Sequence, residues 1–267
     1  MNECSPCYLY NTYLLTKMLR DIYISIILSI ILLGILNISK IMSDKSDKSD
    51  KPKPFPFNTC EVRGDIIDQP YSASINVLSC IILIYLLSQA KHIEIRLFIA
   101  SLFVFQAYHA YSHMFWNENE YSLENVYIIH AISYIIIIAL INAISFISGE
   151  LPNIPIIFTA ILLDIYILYN YIVTLYNAIS VINIWVIVLI TGLWNVKLPT
   201  FAQRLLPILL MLFAVIIALF FNEKYNCDAM MKAYPFPYHT AIEICGLIIS
   251  SLFAYIFILL EMSKNKN

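Results

Sequence analysis

Residues 124–148 read ENVYIIHAISYIIIIALINAISFIS, and this stretch decides the class of fold. Glu124, at the first position, is its only Asp, Glu, Lys or Arg residue. A helix of about 20 apolar residues is needed to cross the hydrocarbon core of a membrane. Within that core every backbone N–H and C=O must be paired inside the segment, which a helix achieves and an isolated strand does not. The stretch therefore predicts a transmembrane helix, although its many isoleucines would favour a strand in a soluble protein.

The rest of the chain repeats this pattern. Only 13% of the 267 residues are charged and 60% are hydrophobic, whereas about 25% of the residues in a soluble domain are charged. The composition therefore predicts an all-α integral membrane protein whose partner is the membrane. No basic patch with interleaved aromatic residues occurs, so nucleic acid is not a predicted partner. The eight predicted spans are 22–42, 71–90, 95–116, 124–148, 154–176, 178–195, 205–222 and 238–261.

The first span is separated from the other seven by a low-complexity segment. Residues 43–57 read SDKSDKSDKPKPFPF, three self-neutralising repeats followed by a proline-rich run that stiffens the chain. We therefore predict an N-terminal tail and signal anchor (1–42), a linker (43–57), a seven-helix domain (58–262) and a short C-terminal tail (263–267). The predicted architecture is a seven-transmembrane bundle preceded by one extra N-terminal anchor.

The lysines and arginines of the short loops predict the orientation in the membrane, because such residues accumulate on the cytosolic side. With eight spans, four groups of basic residues fall on one side. That side is predicted to be cytosolic, so the polar segments around 60–79, 105–125 and 226–244 lie on the opposite, non-cytosolic side. The basic groups are Lys17 and Arg20, Lys91 and Arg96, Lys197 and Arg204, and Lys264 and Lys266.

Imidazole and carboxylate groups cluster on this predicted non-cytosolic side. His109 and His113 are four residues apart at the end of one span, and His239 and Glu243 are four apart at the start of another. Residues four apart share one face of a helix. Such side chains are costly within a membrane and usually mark function. Each histidine alone is more often an interfacial hydrogen-bonding group, but two pairs at one membrane face have the donors of a zinc site.

Short motifs occur in a fixed order through the seven-helix region. They are Cys60-Glu61, YSASINVLS with Asn76 and Ser79, His113 followed eleven residues later by Glu124, Cys227-Asp228, and PFPYHTAIE with His239. In order and spacing these motifs resemble the alkaline ceramidases. That family belongs to a wider superfamily of seven-helix membrane hydrolases that also contains the adiponectin-type receptors. The resemblance covers residues 58–262.

The chain departs from the family pattern at four positions. The family serine falls on His109, and the family aspartate falls on Glu124, which keeps the carboxylate and adds one methylene. The second histidine of the last helix falls on Glu243. The glutamate that the family has beside the alanine at position 73 is missing here. The site implied by the resemblance is therefore altered at several of its functional positions.

The resemblance implies a zinc ion, and two ligand sets fit the residues present. One set is His109, His113 and His239, with Glu243 as a fourth ligand or as a partner that orients an imidazole. The other set is His113, His239 and Glu243, with His109 as an outer hydrogen-bond donor. We favour the second set, because its positions already carry zinc ligands in the family. Both sets leave a coordination position for water.

The resemblance also implies a disulfide and a second metal. In the family, the cysteine of the Cys-Glu pair bonds the cysteine before the last helix, which here pairs Cys60 with Cys227, on the side where oxidising conditions favour such bonds. The family binds calcium through its N-terminal acidic segment. Glu61 is retained here, but the helix glutamate is absent, so the calcium pattern is incomplete.

The activity implied by the resemblance is a zinc-dependent amidase that hydrolyses the N-acyl bond of ceramide or a related lipid amide. Its products are a sphingoid base and a fatty acid, and its substrate carries a long acyl chain. In this pattern Glu124 moves a proton from water to the leaving amine, and His109 donates a hydrogen bond to the developing oxyanion. We expect an endomembrane of the ER or Golgi type.

Two other readings of the sequence stay open. One is a catalytically impaired relative that acts as a lipid-binding or receptor-like membrane protein, which the changes at positions 109 and 243 favour. The other is a structural or transport membrane protein whose polar residues line a pathway, because motif matches are hypotheses until their structural context is known. Zinc in purified protein separates this last reading from the others.

Overall fold

A computed structural model describes most of the chain beyond residue 60. The described residues are 60–61, 66–67, 69–115, 123–152, 154–170, 174–193, 198–234 and 237–264, and the side chains of 123–126, 167–170, 174–180, 224–225 and 228 are not described. All of these residues belong to one compact unit, Ser49–Asn267. The predicted anchor (1–42) and linker (43–57) lie outside the described residues, so both assignments stay predictions.

Nearly all of the described chain is α-helical, and these residues contain no strand. Pro70 occupies the first turn of the first helix, where its missing N–H is not needed. The third helix ends before Gly149, whose φ of +77° is a conformation that favours glycine. The helices are α1 (Pro70–Gln89), α2 (Ile93–Phe115), α3 (Leu123–Ser148), α4 (Ile154–Asn170), α5 (Thr174–Leu193), α6 (Thr200–Ala233) and α7 (Tyr238–Lys264).

Five stretches of helix are long and apolar enough to cross a membrane. The protein is therefore an all-α, multi-pass membrane protein, as its composition predicts. Helices α4 and α5 are apolar over shorter described stretches, Ile154–Tyr166 and Val181–Leu193. The full count of seven spans plus an anchor stays a prediction. The five candidate spans are Pro70–Gln89, Ile93–Phe115, Tyr127–Ser148, Thr200–Glu223 and Tyr238–Lys264.

Helix α7 is the central element of the described bundle, where it contacts α1, α2, α3 and α6. Phe253 and Phe257 of α7 are fully buried, and the Phe98 ring of α2 lies 5.0 Å from each of theirs, centroid to centroid. Close packing of this kind contributes to helix association in a membrane, where apolar burial from water is no longer available as a driving force. It fixes α7 against α2. These two helices carry the pairs His239/Glu243 and His109/His113.

Hydrogen bonds tie the helices together at both ends of the bundle. At one end, the backbone N–H of Gln69, just before α1, donates to the carbonyl of His113 near the end of α2 at 2.9 Å. At the other end, the Glu261 carboxylate of α7 accepts hydrogen bonds from the backbone N–H groups of Lys91 and His92, in the turn between α1 and α2. Residues at the start of α7 and the end of α2 thus share the Gln69 end of the bundle.

Helix α6 continues well beyond the predicted span 205–222. The predicted span ends at residue 222, but the helix continues to Ala233. Polar residues can continue a helix once it leaves the hydrocarbon region, because water then satisfies their side chains. As a result, Glu223 and Cys227 lie one turn apart on the same helix.

Candidate metal centre

Two histidines from different helices meet at the Gln69 end of the bundle. His113 of α2 is 6% exposed and His239 of α7 is 4% exposed. Their ring centroids are 5.2 Å apart. The side chains that the sequence singled out on two separate spans are therefore neighbours in a buried environment.

Both imidazoles face the same oxygen of one carboxylate. Nε2 of His113 lies 3.2 Å from Oε1 of Glu243, and Nε2 of His239 lies 3.3 Å from that same oxygen. Glu243 is 6% exposed. The His239–Glu243 contact joins residues four apart on α7, and the His113 contact joins α2 to α7. One carboxylate oxygen is thus the meeting point of the two helices.

The other nitrogen of each ring is held by an oxygen on the far side. Nδ1 of His239 lies 2.8 and 3.0 Å from the two carboxylate oxygens of Glu223. Nδ1 of His113 donates to the side-chain Oε1 of Gln69, which is itself buried. Partners of this kind fix the orientation and tautomer of an imidazole.

These contacts leave electron-rich atoms facing each other. A neutral imidazole has one N–H, and a carboxylate can only accept. The N–H of His239 is therefore committed to Glu223 on the Nδ1 side, and its Nε2 presents a lone pair toward Glu243. The same holds for His113, whose Nδ1–H is committed to Gln69. Two lone pairs pointing at a carboxylate oxygen repel unless the rings are protonated or a cation lies between them.

The donor set fits a zinc ion. Imidazole nitrogen and carboxylate oxygen are common zinc ligands, and two ligands each about 2.0–2.1 Å from a tetrahedral zinc are about 3.3–3.4 Å apart. The two Nε2–Oε1 separations agree with this spacing. Among the described residues, the group of three whose ligand atoms all lie within 4.8 Å of one another is His109, His113 and Glu243, and this group could hold a metal ion. That third combination differs from both sets predicted from the sequence.

His109 occupies the outer side of the cluster. Its side chain is 25% exposed, and its Nδ1 is 4.0 Å from Oε2 of Glu243, the oxygen that faces away from the other two histidines. Its ring packs on Phe105, with centroids 4.4 Å apart. His109 is therefore the most accessible histidine of the group, which suits either a ligand or an outer donor.

Asn76, one of the residues that carries the family resemblance, supports the carboxylate from α1. Its Nδ2 donates to Oε2 of Glu243 at 2.9 Å and to the carbonyl of Ser72 at 3.2 Å. A second buried polar layer lies deeper in the bundle, where Ser79 Oγ is 3.3 Å from Ser250 Oγ. Charge-assisted bonds such as that of Asn76 are stronger than neutral ones, so α1 helps to hold Glu243 in place.

The segment before α1 is fixed by the predicted disulfide, which is confirmed. Cys60 and Cys227 are bonded, with Cα atoms 5.5 Å apart. Next to it, Glu61 accepts hydrogen bonds from the backbone N–H groups of Tyr71 and Ser72, at 2.8 and 3.0 Å, and from the Ser72 hydroxyl. The carboxylate of Glu61 therefore caps the start of α1, and calcium binding by Glu61 stays a prediction.

The predicted proton-transfer residue, Glu124, is in the first turn of α3. Its side chain lies outside the described side chains, so its role also stays a prediction. The predicted role of His109 toward an oxyanion is likewise untested.

Sequence reasoning missed two residues that the structure places in contact with the histidines, Gln69 and Glu223. The predicted span ends at residue 222, so the sequence prediction leaves Glu223 outside any helix. The signal that could have found it is its spacing: it lies four residues before Cys227, on the same helical face as a cysteine whose pairing was predicted. Gln69 has no comparable spacing signal, because it lies in an irregular segment.

Comparisons of this chain with models of protein families, with curated proteins and with solved structures found no match.

Proposed function

We propose that this protein is a zinc-dependent amidase that acts on ceramide or a related lipid amide at a membrane surface. The observation that carries the proposal is the convergence of two Nε2 atoms, from His113 and His239, on Oε1 of Glu243. The resemblance to alkaline ceramidases supplies the reaction class, and the buried donor set supports it. The bundle's apolar helices suit a substrate with a long acyl chain.

His113, His239 and Glu243 would hold the metal, with His109 beside them. Glu223 and Gln69 orient the two imidazoles, and Asn76 supports the carboxylate. When bound, zinc acts as a Lewis acid that polarises a carbonyl and lowers the pKa of water. The hydrogen bonds of Glu223, Gln69 and Asn76 hold the proposed ligands in place, and these bonds involve no ligand or metal.

The proposed reaction adds water across the amide bond of the lipid. The oxygen of water joins the acyl carbon, the C–N bond breaks, and the amine nitrogen takes a proton. Glu124 is the proposed carrier of that proton, from water to amine. His109, which is a quarter exposed, is the proposed hydrogen-bond donor to the oxyanion. The products are a fatty acid and a sphingoid base.

We place the reaction on the non-cytosolic side of an endomembrane of the ER or Golgi type. The support is the distribution of lysine and arginine in the short loops, together with the disulfide beside the candidate centre, since such bonds persist in oxidising compartments.

A second candidate function is a hydrolytically inactive, lipid-binding or receptor-like protein. The observation that favours it is that separations of 3.2 and 3.3 Å also suit hydrogen bonds from protonated imidazoles to Glu243. In that case the cluster is an internal ion-pair network that joins α2 to α7 and needs no metal.

The test is to purify the full chain in detergent and to measure bound zinc and ceramide turnover on the same sample. We expect about one zinc per chain and release of fatty acid, with both lost in His113→Ala. The matched control is His92→Ala, the same substitution at the opposite end of the bundle, where the His92 ring packs 4.5 Å from that of Phe146. The control should retain both zinc and turnover.

Three outcomes are decisive. Wild-type protein without zinc contradicts the metal centre. Zinc without turnover of any ceramide favours the lipid-binding candidate. Zinc that survives His113→Ala shows that the metal lies elsewhere, and the proposed site is then wrong.

A further inference from the structure

Glu223 is a buried carboxylate whose contacts go beyond what the resemblance assigns. It is 6% exposed and lies on α6, the helix that carries Cys227 one turn later. We propose that Glu223 is the positioning residue of the centre: it holds the Nδ1–H of His239 and thereby commits the Nε2 lone pair of that imidazole to the metal. The metal part of this inference rests on the proposed function.

The direction of the hydrogen bond follows from the chemistry of the two groups. Glu223 brings both oxygens within 3.0 Å of the same Nδ1, and a carboxylate has no proton to offer. The proton of His239 therefore lies on Nδ1. The remaining nitrogen, Nε2, faces Glu243 and is the one that would offer its lone pair to a metal. Because a metal ligand must present a lone pair, this tautomer is the one that binds.

Glu223 is itself held in place by the disulfide-bonded segment. The backbone N–H of Cys60 donates to Oε1 of Glu223 at 2.9 Å. The backbone carbonyl of Cys60 accepts a hydrogen bond from the backbone N–H of His239 at 3.1 Å. The disulfide then joins Cys60 to Cys227, on the same helix as Glu223. One residue thus bonds to both members of the Glu223–His239 pair, so their geometry is set before any ligand arrives.

This arrangement separates a positioning role from a purely structural one. In Glu223→Gln, the side chain keeps an oxygen that can accept from the Cys60 N–H. That same oxygen, Oε1, also accepts from Nδ1 of His239. The variant loses the negative charge, and an NH₂ group, which cannot accept, replaces the second oxygen 3.0 Å from Nδ1. A structural role would leave zinc binding unchanged in this variant. A positioning role would weaken it, because the ring is then free to turn or to change tautomer.

The experiment measures the zinc dissociation constant of the full chain in detergent by competition with a chelator. The expected result for Glu223→Gln is weakening by about 10–100-fold, the usual effect of removing such a partner of a metal ligand. Glu223→Asp keeps the carboxylate and should recover part of the loss. The matched control is Glu261→Gln, which removes a buried carboxylate at the opposite end of α7 that accepts from the backbone N–H groups of Lys91 and His92. Its zinc affinity should equal that of wild type.

A second measurement does not depend on zinc. Nitrogen-15 NMR of histidine-labelled, metal-free protein reports which ring nitrogen of His239 carries the proton, with the signal assigned by its loss in His239→Gln. Wild type should show Nδ1 protonated, with or without a second proton on Nε2, and Glu223→Gln should reduce the population with a proton on Nδ1. Should the Gln variant not accumulate, Glu223→Asp carries the test, with a smaller loss of affinity and of the Nδ1–H population.

The outcomes distinguish this inference from the proposed function. Wild-type affinity and an unchanged Nδ1–H signal in the Glu223 variants overturn the positioning role and leave the amidase proposal standing. Wild-type protein that binds no zinc contradicts the amidase proposal, while the NMR result still decides whether Glu223 sets the tautomer.

Discussion

Helix α7 carries a buried carboxylate near each end, and the two have different partners. Glu243 and Glu261 are 18 positions apart in the sequence, which is about five helical turns and about 27 Å. Glu243 faces the side chains of His113, His239 and Asn76. The carboxylate of Glu261 accepts hydrogen bonds from the backbone N–H groups of Lys91 and His92.

The kind of partner separates a carboxylate with a functional role from one with a structural role in a membrane bundle. A backbone N–H can only donate. The two backbone N–H groups that face Glu261 therefore stabilise its carboxylate and hold the turn between α1 and α2 against α7. Imidazoles can donate, accept or bind a metal. The imidazoles around Glu243 can therefore change their protonation or bind a metal, whereas the backbone N–H groups around Glu261 cannot. We therefore expect the functional site at the Glu243 end.

The largest expected effect is on zinc binding. Glu243→Gln replaces the negative charge between the two imidazoles by a neutral amide, so we expect zinc affinity to fall by more than about 100-fold, beyond the loss typical of an outer partner. Glu261→Gln should bind zinc as wild type does. Metal analysis of the two purified variants checks this. Equal zinc content in the Glu243→Gln and Glu261→Gln variants would show that Glu243 is not a zinc ligand.

The next effect is on stability, through the disulfide that ties only the Glu243 end. The double variant Cys60→Ser, Cys227→Ser should lose about 2–4 kcal/mol of unfolding free energy. Reductant should destabilise wild type and not the variant, as measured by thermal unfolding in detergent. The matched control replaces the free cysteines, Cys80 and Cys245. If that control also loses its sensitivity to reductant, the stabilising bond is not the one described.

A somewhat smaller loss is expected at the opposite end. Glu261→Ala removes the acceptor of the Lys91 and His92 amides. At a net contribution of about 0.5–1.5 kcal/mol per hydrogen bond, the expected loss is about 1–3 kcal/mol. We expect a lower unfolding temperature and an unchanged number of bound zinc ions. A loss of zinc in this variant would show that the two ends are coupled through α7, and Glu261 would then not be purely structural.

The smallest expected effect concerns His109 and decides between the predicted ligand sets. His109→Ser installs the family's residue at this position. If His113, His239 and Glu243 bind the metal, zinc affinity should change by less than about 10-fold, the lower limit for a partner of a ligand. A larger loss, measured by the same chelator competition, identifies His109 as a ligand and favours either combination that contains it.

Part of the candidate site was predictable because helical periodicity acts within one segment. The pairs His109/His113 and His239/Glu243 share faces of their helices, as residues four apart must. Glu223 and Gln69 escaped because their importance depends on which neighbouring helix they meet. Periodicity reports the face of a helix, and it contains no information on the partner that packs against that face.

The sequence by itself determined that the chain is a helical membrane protein, because runs of apolar residues this long have no other way to satisfy their backbone in a membrane. It also indicated which imidazole and carboxylate side chains have the chemistry of metal ligands. Only the tertiary structure decided that Oε1 of Glu243 receives both Nε2 atoms, and that Glu223 and Gln69 hold the opposite nitrogens. Those contacts join helices distant in the sequence, and their geometry is set by packing around α7.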